Sequence, residues 1–241
     1  MDKKPLTLSI ISHCDAGLTE RLLQDIASTN INPMEVLLTL NVPEKLTFKP
    51  DTFPFPVRVI ENERPRGFGA NHNAAFRLCA TPYFCVLNPD LRFPEDPFSF
   101  LLDECAEARV GVAAPLIVDP NGQRGDNARR FPTFWSLARK ACTKGIRLDY
   151  EIADRSISPD WIAGMFMLMR SDVYRAVNGF DERYFLYYED VDLCRRIRRC
   201  GLDIRMVPSV RVIHTAKRRS HRNLRYLRWH ARSMLRFLMD D

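Results

Sequence analysis

Apolar and polar residues follow two different periods along the first half of the chain. Short apolar runs at residues 6–12, 35–40, 57–60 and 83–88 predict buried strands. Residues 18–29 and 69–80 have the apolar spacing of helices, and a Pro-rich, irregular stretch occupies residues 41–56. Strands that alternate with helices predict β-α-β units. We therefore expect an α/β fold with a mostly parallel central sheet flanked by helices.

In the second half of the chain, three further ranges predict strands. Residues 110–118 are apolar and end in the turn sequence DPNGQ. Residues 161–170, WIAGMFMLMR, predict one long strand, and residues 202–214 predict two short strands. We find no internal repeat and no low-complexity linker. The pattern predicts one domain rather than two.

Candidate chemistry lies at loops that follow the predicted strands, because ligands of such sheets bind beyond the carboxyl ends of the strands. These loops begin at Ser12, Asn41, Glu61 and Asn88. In NERPRGFGANHNAAF (62–76), the glycines around Phe68 would let a ligand approach the backbone before a helix; the alternative is an ordinary loop-to-helix turn. In VLNPDLRF (86–93), Asp90 is placed either to hold a divalent cation or to form a proline turn.

A third motif, FLYYEDVDLCRR (185–196), gathers three acidic residues in a basic chain of net charge +6. The acids are Glu189, Asp190 and Asp192. Taken alone, they fit a helix start, a metal site or a catalytic base.

Composition narrows the class of protein. The chain has 241 residues, 46% of them hydrophobic, which suffices for one large domain. It has no apolar run of about 18 residues, so no transmembrane helix is predicted. The N-terminal apolar stretch is short and broken, unlike a signal peptide. The seven cysteines form no C-x-x-C pair, which argues against a disulfide framework and a structural zinc site. We expect a cytoplasmic protein.

The order and spacing of NERPRGFGANHNAAF, LNPD, WIAGMFMLMR and GFDERYFLYYEDVDLCRRIRRCG resemble the family 2 GT-A glycosyltransferases over about residues 6–215. The resemblance is closest to the rhamnosyltransferase-like branch of bacterial surface-polysaccharide assembly. It implies a GT-A, Rossmann-like sheet with a smaller acceptor-side subregion. It also implies inverting transfer of a sugar from dTDP-rhamnose or a UDP-sugar to a growing polysaccharide or lipid-linked glycan.

The resemblance assigns binding positions residue by residue. The positions implied for the nucleotide sugar are Ser12, His13, Asn41, Gly67, Phe68, Asn71, Asn88 and Asp90. Trp161 and Gly164 are implied to contact the donor sugar and the acceptor, and an indole face stacks well on a sugar ring.

The resemblance also implies Mg²⁺ or Mn²⁺ as cofactor. The sequence Asn88-Pro89-Asp90 stands where the family often has Asp-x-Asp, so Asn88 departs from the pattern while Asp90 matches its metal-binding aspartate. His214 matches a late histidine that binds metal or phosphate. Asp90 and His214 are therefore the implied metal ligands.

Inverting transfer requires a carboxylate that takes the proton of the acceptor hydroxyl, and positive charge beside the leaving diphosphate. The family's Glu-Asp pair corresponds to Glu189 and Asp190. We assign Asp190 as the base and Glu189 as the neighbour that orients it or binds the acceptor. Asp192 lies about 200° further around a helix. It is predicted to stabilise the helix start or to pair with Arg195 or Arg196.

The C-terminal segment predicts a basic amphipathic helix. Residues 217–236 contain eight basic residues and no acidic one, with arginines (218, 222, 225, 228, 232, 236) and leucines on adjacent faces. Three arrangements stay open: contact with an anionic membrane surface, packing on the domain, or donation of arginine to the diphosphate. We predict one GT-A domain with a nucleotide-sugar half (1–115), an acceptor and catalytic half (116–216) and this helix (217–241). We expect the protein to lie peripherally at the inner face of the cytoplasmic membrane.

Three other functions are weighed against glycosyl transfer. Nucleic-acid binding suits a basic surface with aromatics, but no recognisable motif supports it, and we expect no nucleic-acid partner. A nucleotidyltransferase of related fold would need a Gly-rich, Lys- or Arg-bearing loop after the first strand, where SHCDAG stands. The third is a catalytically inactive glycosyltransferase-like binding protein, which the departure at Asn88 suggests.

Overall fold

The computed structural model describes residues 5–29, 35–136, 148–151, 155–215 and 224–240. The strands in this part of the chain are β1 (Leu6–Ser12), β2 (Glu35–Leu40), β3 (Val57–Glu61), β4 (Tyr83–Leu87), β5 (Leu91–Arg92), β6 (Val110–Val118), β7 (Ala128–Arg129), β8 (Trp161–Ile162), β9 (Phe166–Arg170) and β10 (Asp203–His214). The helices are α1 (Ala16–Ala27), α2 (Phe68–Phe76), α3 (Phe98–Ala106), α4 (Ser171–Ala176), α5 (Glu189–Arg199) and α6 (Leu224–Met239), with a 3₁₀ turn at Pro50–Thr52.

Eight of these strands form one sheet in the order β3-β2-β1-β4-β9-β6-β10-β5. Neighbours from β3 to β4 are parallel, as are β6 and β10. Strand β9 runs antiparallel to β4 and β6, and β5 runs antiparallel to β10. Strands β7 and β8 form a separate antiparallel pair. The predicted α/β fold with a mostly parallel sheet is confirmed, with an antiparallel strand inserted at its centre.

Apolar side chains cover both faces of the sheet, as a buried sheet with near-continuous apolar strands requires. One core cluster contains residues of α1 and α3, including Leu22 and Leu101. The other contains residues of α4 and α5, including Tyr174 and Leu193. All nine residues of β6 are buried. The loops after β1, β2 and β4 leave the sheet at the same edge, where the site is found.

The strand predicted for residues 161–170 is wrong in one respect, because the structure breaks it into β8 and β9. Between them, Ala163 N–H donates to Asn127 O at 2.9 Å, and Gly164 N–H donates to the Asp190 carboxylate at 2.8 Å. These backbone groups are therefore unavailable to a continuous strand ladder.

The two strands predicted for residues 202–214 are one strand, β10. Its pairing with β6 shifts register between Val207 and Arg211, which surround Pro208. Proline lacks a backbone N–H, so a bulge here keeps the remaining ladder intact. Helix α2 also ends at Phe76, earlier than the predicted residue 80.

The predicted C-terminal helix is present from Leu224; Arg218 and Arg222 lie outside the described residues. It packs on the domain through Ser233 and Phe237, which are buried. Phe237 contacts Tyr188, with ring centroids 5.7 Å apart, and the Ser233 hydroxyl donates to Leu186 O at 3.0 Å. Within the described residues, no helix has the length and apolar character needed to cross a membrane.

Candidate active site

The first turn of α5 places two adjacent carboxylates, Glu189 and Asp190, at the start of the helix. The helix follows Tyr187 and Tyr188, which both adopt left-handed backbone angles with φ of 69°. Non-glycine residues rarely adopt this conformation, so the surrounding packing must hold this segment. Tyr188 is buried against Phe237 of α6. The C-terminal helix therefore supports the segment that positions Glu189 and Asp190.

Asp190 is held by backbone N–H groups. One carboxylate oxygen accepts from Gly164 N at 2.8 Å, and the other accepts from Val191 N at 2.9 Å. A Cβ at Gly164 would lie 3.3 Å from Asp190 Cβ and 3.4 Å from the Phe68 ring, so glycine allows this close approach. Three predicted site residues, Phe68, Gly164 and Asp190, thus meet, although they lie on different parts of the sequence.

Glu189 is more enclosed than Asp190. It is 5% exposed, and its Oε2 has no hydrogen-bond partner among the described residues. Burial, and then the neighbouring Asp190 charge, raise the pKa of Glu189 well above its usual range. Burial also raises the pKa of Asp190, while the N–H groups of Gly164 and Val191 oppose the increase. The environment therefore favours a proton on Glu189 more strongly than on Asp190.

Side-chain amides organise the loop before α2. The Asn41 oxygen accepts from Arg66 N at 2.8 Å, and its amide donates to Arg66 O at 3.0 Å. Asn62 donates to both Asn41, at 3.0 Å, and Asn71, at 2.7 Å. Asn71 is fully buried and donates to Arg66 O at 3.3 Å. The Asn71 side chain therefore holds the loop in this structure, and its predicted donor contact stays a prediction.

Contacts within the chain require the glycines on both sides of Phe68, and the predicted contact of Gly67 with the donor stays a prediction. A Cβ at Gly67 would lie 2.8 Å from Phe185 O, and Phe68 N–H donates to that same oxygen at 3.0 Å. A Cβ at Gly69 would overlap the side chain of Phe180. Phe185 also lies against Trp229 of α6, with ring centroids 4.7 Å apart. Phe185, which we did not predict, thus connects α6 to the loop.

Phe68 rests on a buried histidine. Its ring centroid is 4.5 Å from that of His72, whose Nδ1 lies 2.8 Å from the Ser9 hydroxyl on β1. Complete burial lowers the pKa of His72 to about 3, so this ring is neutral at physiological pH. His72 therefore supports the Phe68 ring as an uncharged packing residue.

The first strand loop meets the same amides. Ser12 is fully buried, and its hydroxyl accepts from Asp15 N at 3.3 Å, which shapes the turn into α1. His13 is exposed, and its Nδ1 lies 3.4 Å from the Asn41 amide nitrogen. Ser12, His13 and Asn41 are therefore brought together at the carboxyl edge of the sheet, beside the Arg66 loop.

The two predicted metal ligands also meet. His214 Nε2 at the end of β10 lies 3.1 Å from Asp90 Oδ2, although 124 residues separate them. Asp90 Oδ1 is buried and has no hydrogen-bond partner among the described residues. A carboxylate oxygen and an imidazole nitrogen are both ligands of divalent cations, and these two are close enough for one ion to contact both. The described residues contain no cluster of three or more His, Cys, Asp or Glu side chains that could hold a metal ion.

A model of the family described as glycosyltransferase-like family 2 matches residues 50–236. The chain belongs to this family. Its sequence is 29% identical to the N-acetylglucosaminyl-diphospho-decaprenol L-rhamnosyltransferase of Mycobacterium tuberculosis (strain CDC 1551 / Oshkosh), across 92% of this chain and 80% of that protein. It is also 29% identical to the rhamnosyltransferase WbbL of Escherichia coli (strain K12), across 71% of this chain and 70% of that protein.

Solved structures show the same fold. The structure of GalNAc-T7 with UDP, GalNAc and Mn²⁺ has a TM-score of 0.71 at 16% identity and covers 91% of this chain. The mannosyltransferase PcManGT from Pyrobaculum calidifontis, with GDP-Man and Mn²⁺, has a TM-score of 0.68 at 16% identity and covers 98%. This family 2 glycosyltransferase spans 44% and 64% of those two chains. The predicted family is confirmed, and neither the nucleotidyltransferase nor the binding-protein alternative is favoured.

The glycosyltransferase has a cation beside Asp190 that we did not predict. Arg129 on β7 ion-pairs with Asp126 at 2.7 Å and lies 5.6 Å from the Trp161 ring centroid. Its charge counteracts part of the increase in the pKa of Asp190. The indole N–H of Trp161 donates to Arg130 O at 2.9 Å. One face of Trp161 is thus covered by Arg129, and its predicted stacking on a sugar stays a prediction for the rest of the ring.

Asp192 pairs with both arginines that were considered for it. Its carboxylate lies 3.3 Å from Arg195 Nη2 and 2.7 Å from Arg196 Nη2. Arg196 also donates to the carbonyls of Val177 and Gly179, and Arg195 lies over Phe237 with its guanidinium carbon 4.1 Å from the ring centroid. This buried ion group joins α5 to α6.

We expect Asp192→Ala to destabilise the glycosyltransferase by about 3–5 kcal/mol, because the buried Arg195 and the half-buried Arg196 lose their counter-charge. Urea unfolding followed by circular dichroism measures the loss. The control is Asp172→Ala, which removes the ion pair with Arg170 from a side chain that is 71% exposed. This control should cost less than about 1 kcal/mol. Equal losses for the two variants would contradict the structural role of Asp192.

Proposed function

We propose that this glycosyltransferase transfers rhamnose from dTDP-rhamnose to a glycan or lipid-linked glycan, with inversion at the transferred carbon. A UDP-sugar is the second candidate donor. One observation carries the proposal: Asp190 is held by Gly164 next to Phe68, the aromatic residue of the loop implied to close over the donor. The names of two relatives, both rhamnosyltransferases, favour rhamnose.

Asp190 acts as the general base in this proposal. Each of its oxygens accepts one backbone N–H and retains a further lone pair. The acceptor hydroxyl gives its proton to Asp190, the hydroxyl oxygen forms a bond to the anomeric carbon, and the bond from that carbon to the diphosphate breaks. Glu189, protonated through its raised pKa, adds no second negative charge beside the acceptor. Its neutral form leaves Asp190 as the proton acceptor.

The leaving diphosphate needs positive charge. Asp90 and His214 would hold Mg²⁺ or Mn²⁺, which would supply that charge when bound. The Arg66 side chain contributes a second cation, and its Nη2 lies 3.9 Å from Glu182. The backbone carbonyl of Arg66 accepts from the Asn41 and Asn71 amides. Holding the loop backbone in this way fixes the position of Phe68 relative to Asp190.

The outward face of α6 is proposed to lie on the anionic inner face of the cytoplasmic membrane. Leu224, Leu227 and Leu235 are exposed there, and Arg228 and Arg232 are exposed among them. Such a face combines apolar burial with attraction to anionic lipids. This arrangement brings a lipid-linked acceptor to the side of the enzyme on which α6 supports Tyr188.

The donor assignment is tested by thermal shift with nucleoside diphosphates and Mn²⁺. A true donor nucleotide at a hundredfold excess over its Kd should raise the Tm by roughly 5–10 °C. We expect dTDP to give the largest rise and UDP the next. A turnover assay with the corresponding sugar nucleotide separates an active transferase from a binding protein. Equal responses to all nucleoside diphosphates, or none, would contradict the proposal.

A further inference from the structure

A short, capped turn after β7 exposes two aromatic side chains. Thr133 N donates to Ser136 Oγ at 2.8 Å, and Ser136 N donates to Thr133 Oγ1 at 3.1 Å. These two reciprocal hydrogen bonds have the arrangement of a capping box, which stabilises the first turn of a helix. Phe134 is 63% exposed and Trp135 is 85% exposed. No contact among the described residues explains why two adjacent aromatic side chains are exposed to solvent here.

The turn lies beside α6. Phe131, three residues before Phe134, packs on Phe237 of α6 with ring centroids 6.3 Å apart. Phe131 N also donates to the Asp160 carboxylate at 2.8 Å, which fixes the start of the segment. The exposed aromatic pair and the exposed leucines of α6 therefore belong to neighbouring elements. Both elements adjoin Tyr188, which precedes the proposed catalytic pair.

The distribution of basic residues along the chain indicates what kind of surface the exposed aromatic pair would contact. Residues 127–148 contain six basic residues and no acidic one, as residues 217–236 contain eight and none. These two segments therefore hold fourteen of the 36 Lys and Arg residues and none of the 30 Asp and Glu residues, which leaves the rest of the chain net acidic. In the sequence, positive charge is therefore concentrated in the two ranges that contain the exposed Phe134 and Trp135 and the exposed leucines of α6. Aromatic side chains flanked by arginine are typical of residues at an anionic bilayer interface.

We propose that Phe134 and Trp135 insert into the surface of an anionic bilayer beside α6, so that the enzyme attaches at two points. The inference deepens the proposed function and rests on it in one respect, the lipid-linked acceptor. A helix alone leaves the domain free to rotate about its axis. A second attachment fixes the rotation and directs the start of α5 at the membrane surface.

The test is co-sedimentation of the full chain with vesicles of phosphatidylglycerol and phosphatidylcholine. Phe134→Ser with Trp135→Ser should lower the vesicle partition coefficient by about tenfold or more. The matched control is Phe100→Ser, because Phe100 is equally exposed at 62% and lies on α3, whose buried residues belong to the core cluster on the opposite face of the sheet. It should bind as the wild type does. Leu227→Ser with Leu235→Ser gives the corresponding loss for α6.

A second readout does not depend on the amount bound. Brominated lipids should quench part of the tryptophan fluorescence of the wild type, and Trp135→Phe should remove most of that quenching. Wild-type partitioning by the double aromatic variant, or no vesicle binding by the wild type, would overturn the inference. A wild-type dimer that dissociates in the aromatic variant would also overturn the inference, because a second copy of the chain would then cover the two aromatic side chains. None of these assays contains a sugar nucleotide, so a wrong donor would leave their outcome unchanged.

Discussion

Asp190→Asn is expected to lower kcat by about 10³-fold while the donor Kd stays within twofold of the wild type. The asparagine oxygen can still accept from Gly164 N–H, whereas its NH2 group cannot replace the oxygen that accepts from Val191 N–H. The amide cannot take the proton of the acceptor hydroxyl, and the chemical step loses its base. Turnover with saturating donor, together with donor titration by calorimetry, separates these two effects.

Glu189→Gln is the matched control for this variant. If Glu189 is protonated in the resting enzyme, glutamine resembles its working form, and kcat should fall by less than about tenfold. The raised pKa of Asp190 also predicts that activity falls with decreasing pH at values above those of an ordinary aspartate, because the base must be ionised. A wild-type kcat in Asp190→Asn would exclude Asp190 as the base.

Removal of the divalent cation is expected to abolish turnover, and Asp90→Ala should weaken donor binding by about 100-fold in Mn²⁺. The reason is the placement of Asp90 and His214, 3.1 Å apart, with a buried Asp90 oxygen that lacks a partner among the described residues. The measurement is donor affinity and turnover after treatment with a chelator, followed by addition of Mg²⁺ or Mn²⁺.

Asn88→Asp supplies a gain-of-function control for the metal. It restores the Asp-x-Asp pattern that the resemblance implies, and Asn88 directly follows β4 with its N–H bonded to Met165 O at 2.9 Å. We expect this variant to need less Mn²⁺ for half-maximal turnover. Unchanged turnover in the presence of a chelator would contradict a metal-dependent mechanism.

Much of the fold could be predicted because its strands are continuous apolar runs. β1, β2 and β6 are each buried along nearly their whole length. Such apolar runs can be recognised as strands without knowing which strands lie next to them. The break between β8 and β9 was not predicted, because its cause is remote. Gly164 turns out of the ladder to meet Asp190, which is 26 residues away. The prediction of two short strands at residues 202–214 was wrong, because the pairing of β10 with β6 continues past its bulge.

In the site, too, contacts between residues close in the sequence could be predicted from the residues themselves, and contacts between distant segments could not. The pairing of Asp192 with Arg195 and Arg196 follows from helical spacing of three and four residues, and it was predicted. The meeting of Asp90 with His214 came from the family resemblance alone. Arg129 and Phe185 were missed, because each acts on a segment far away in the sequence through short elements or loops. No local pattern indicates such contacts.

The configuration of the product tests the central claim most directly. Wild-type enzyme is incubated with dTDP-rhamnose, Mn²⁺ and a lipid-linked acceptor, and the new glycosidic bond is examined by nuclear magnetic resonance. The account predicts transfer of one sugar, with an anomeric configuration opposite to that of the donor. Retention of configuration, or no transfer from either dTDP-rhamnose or a UDP-sugar, would contradict it.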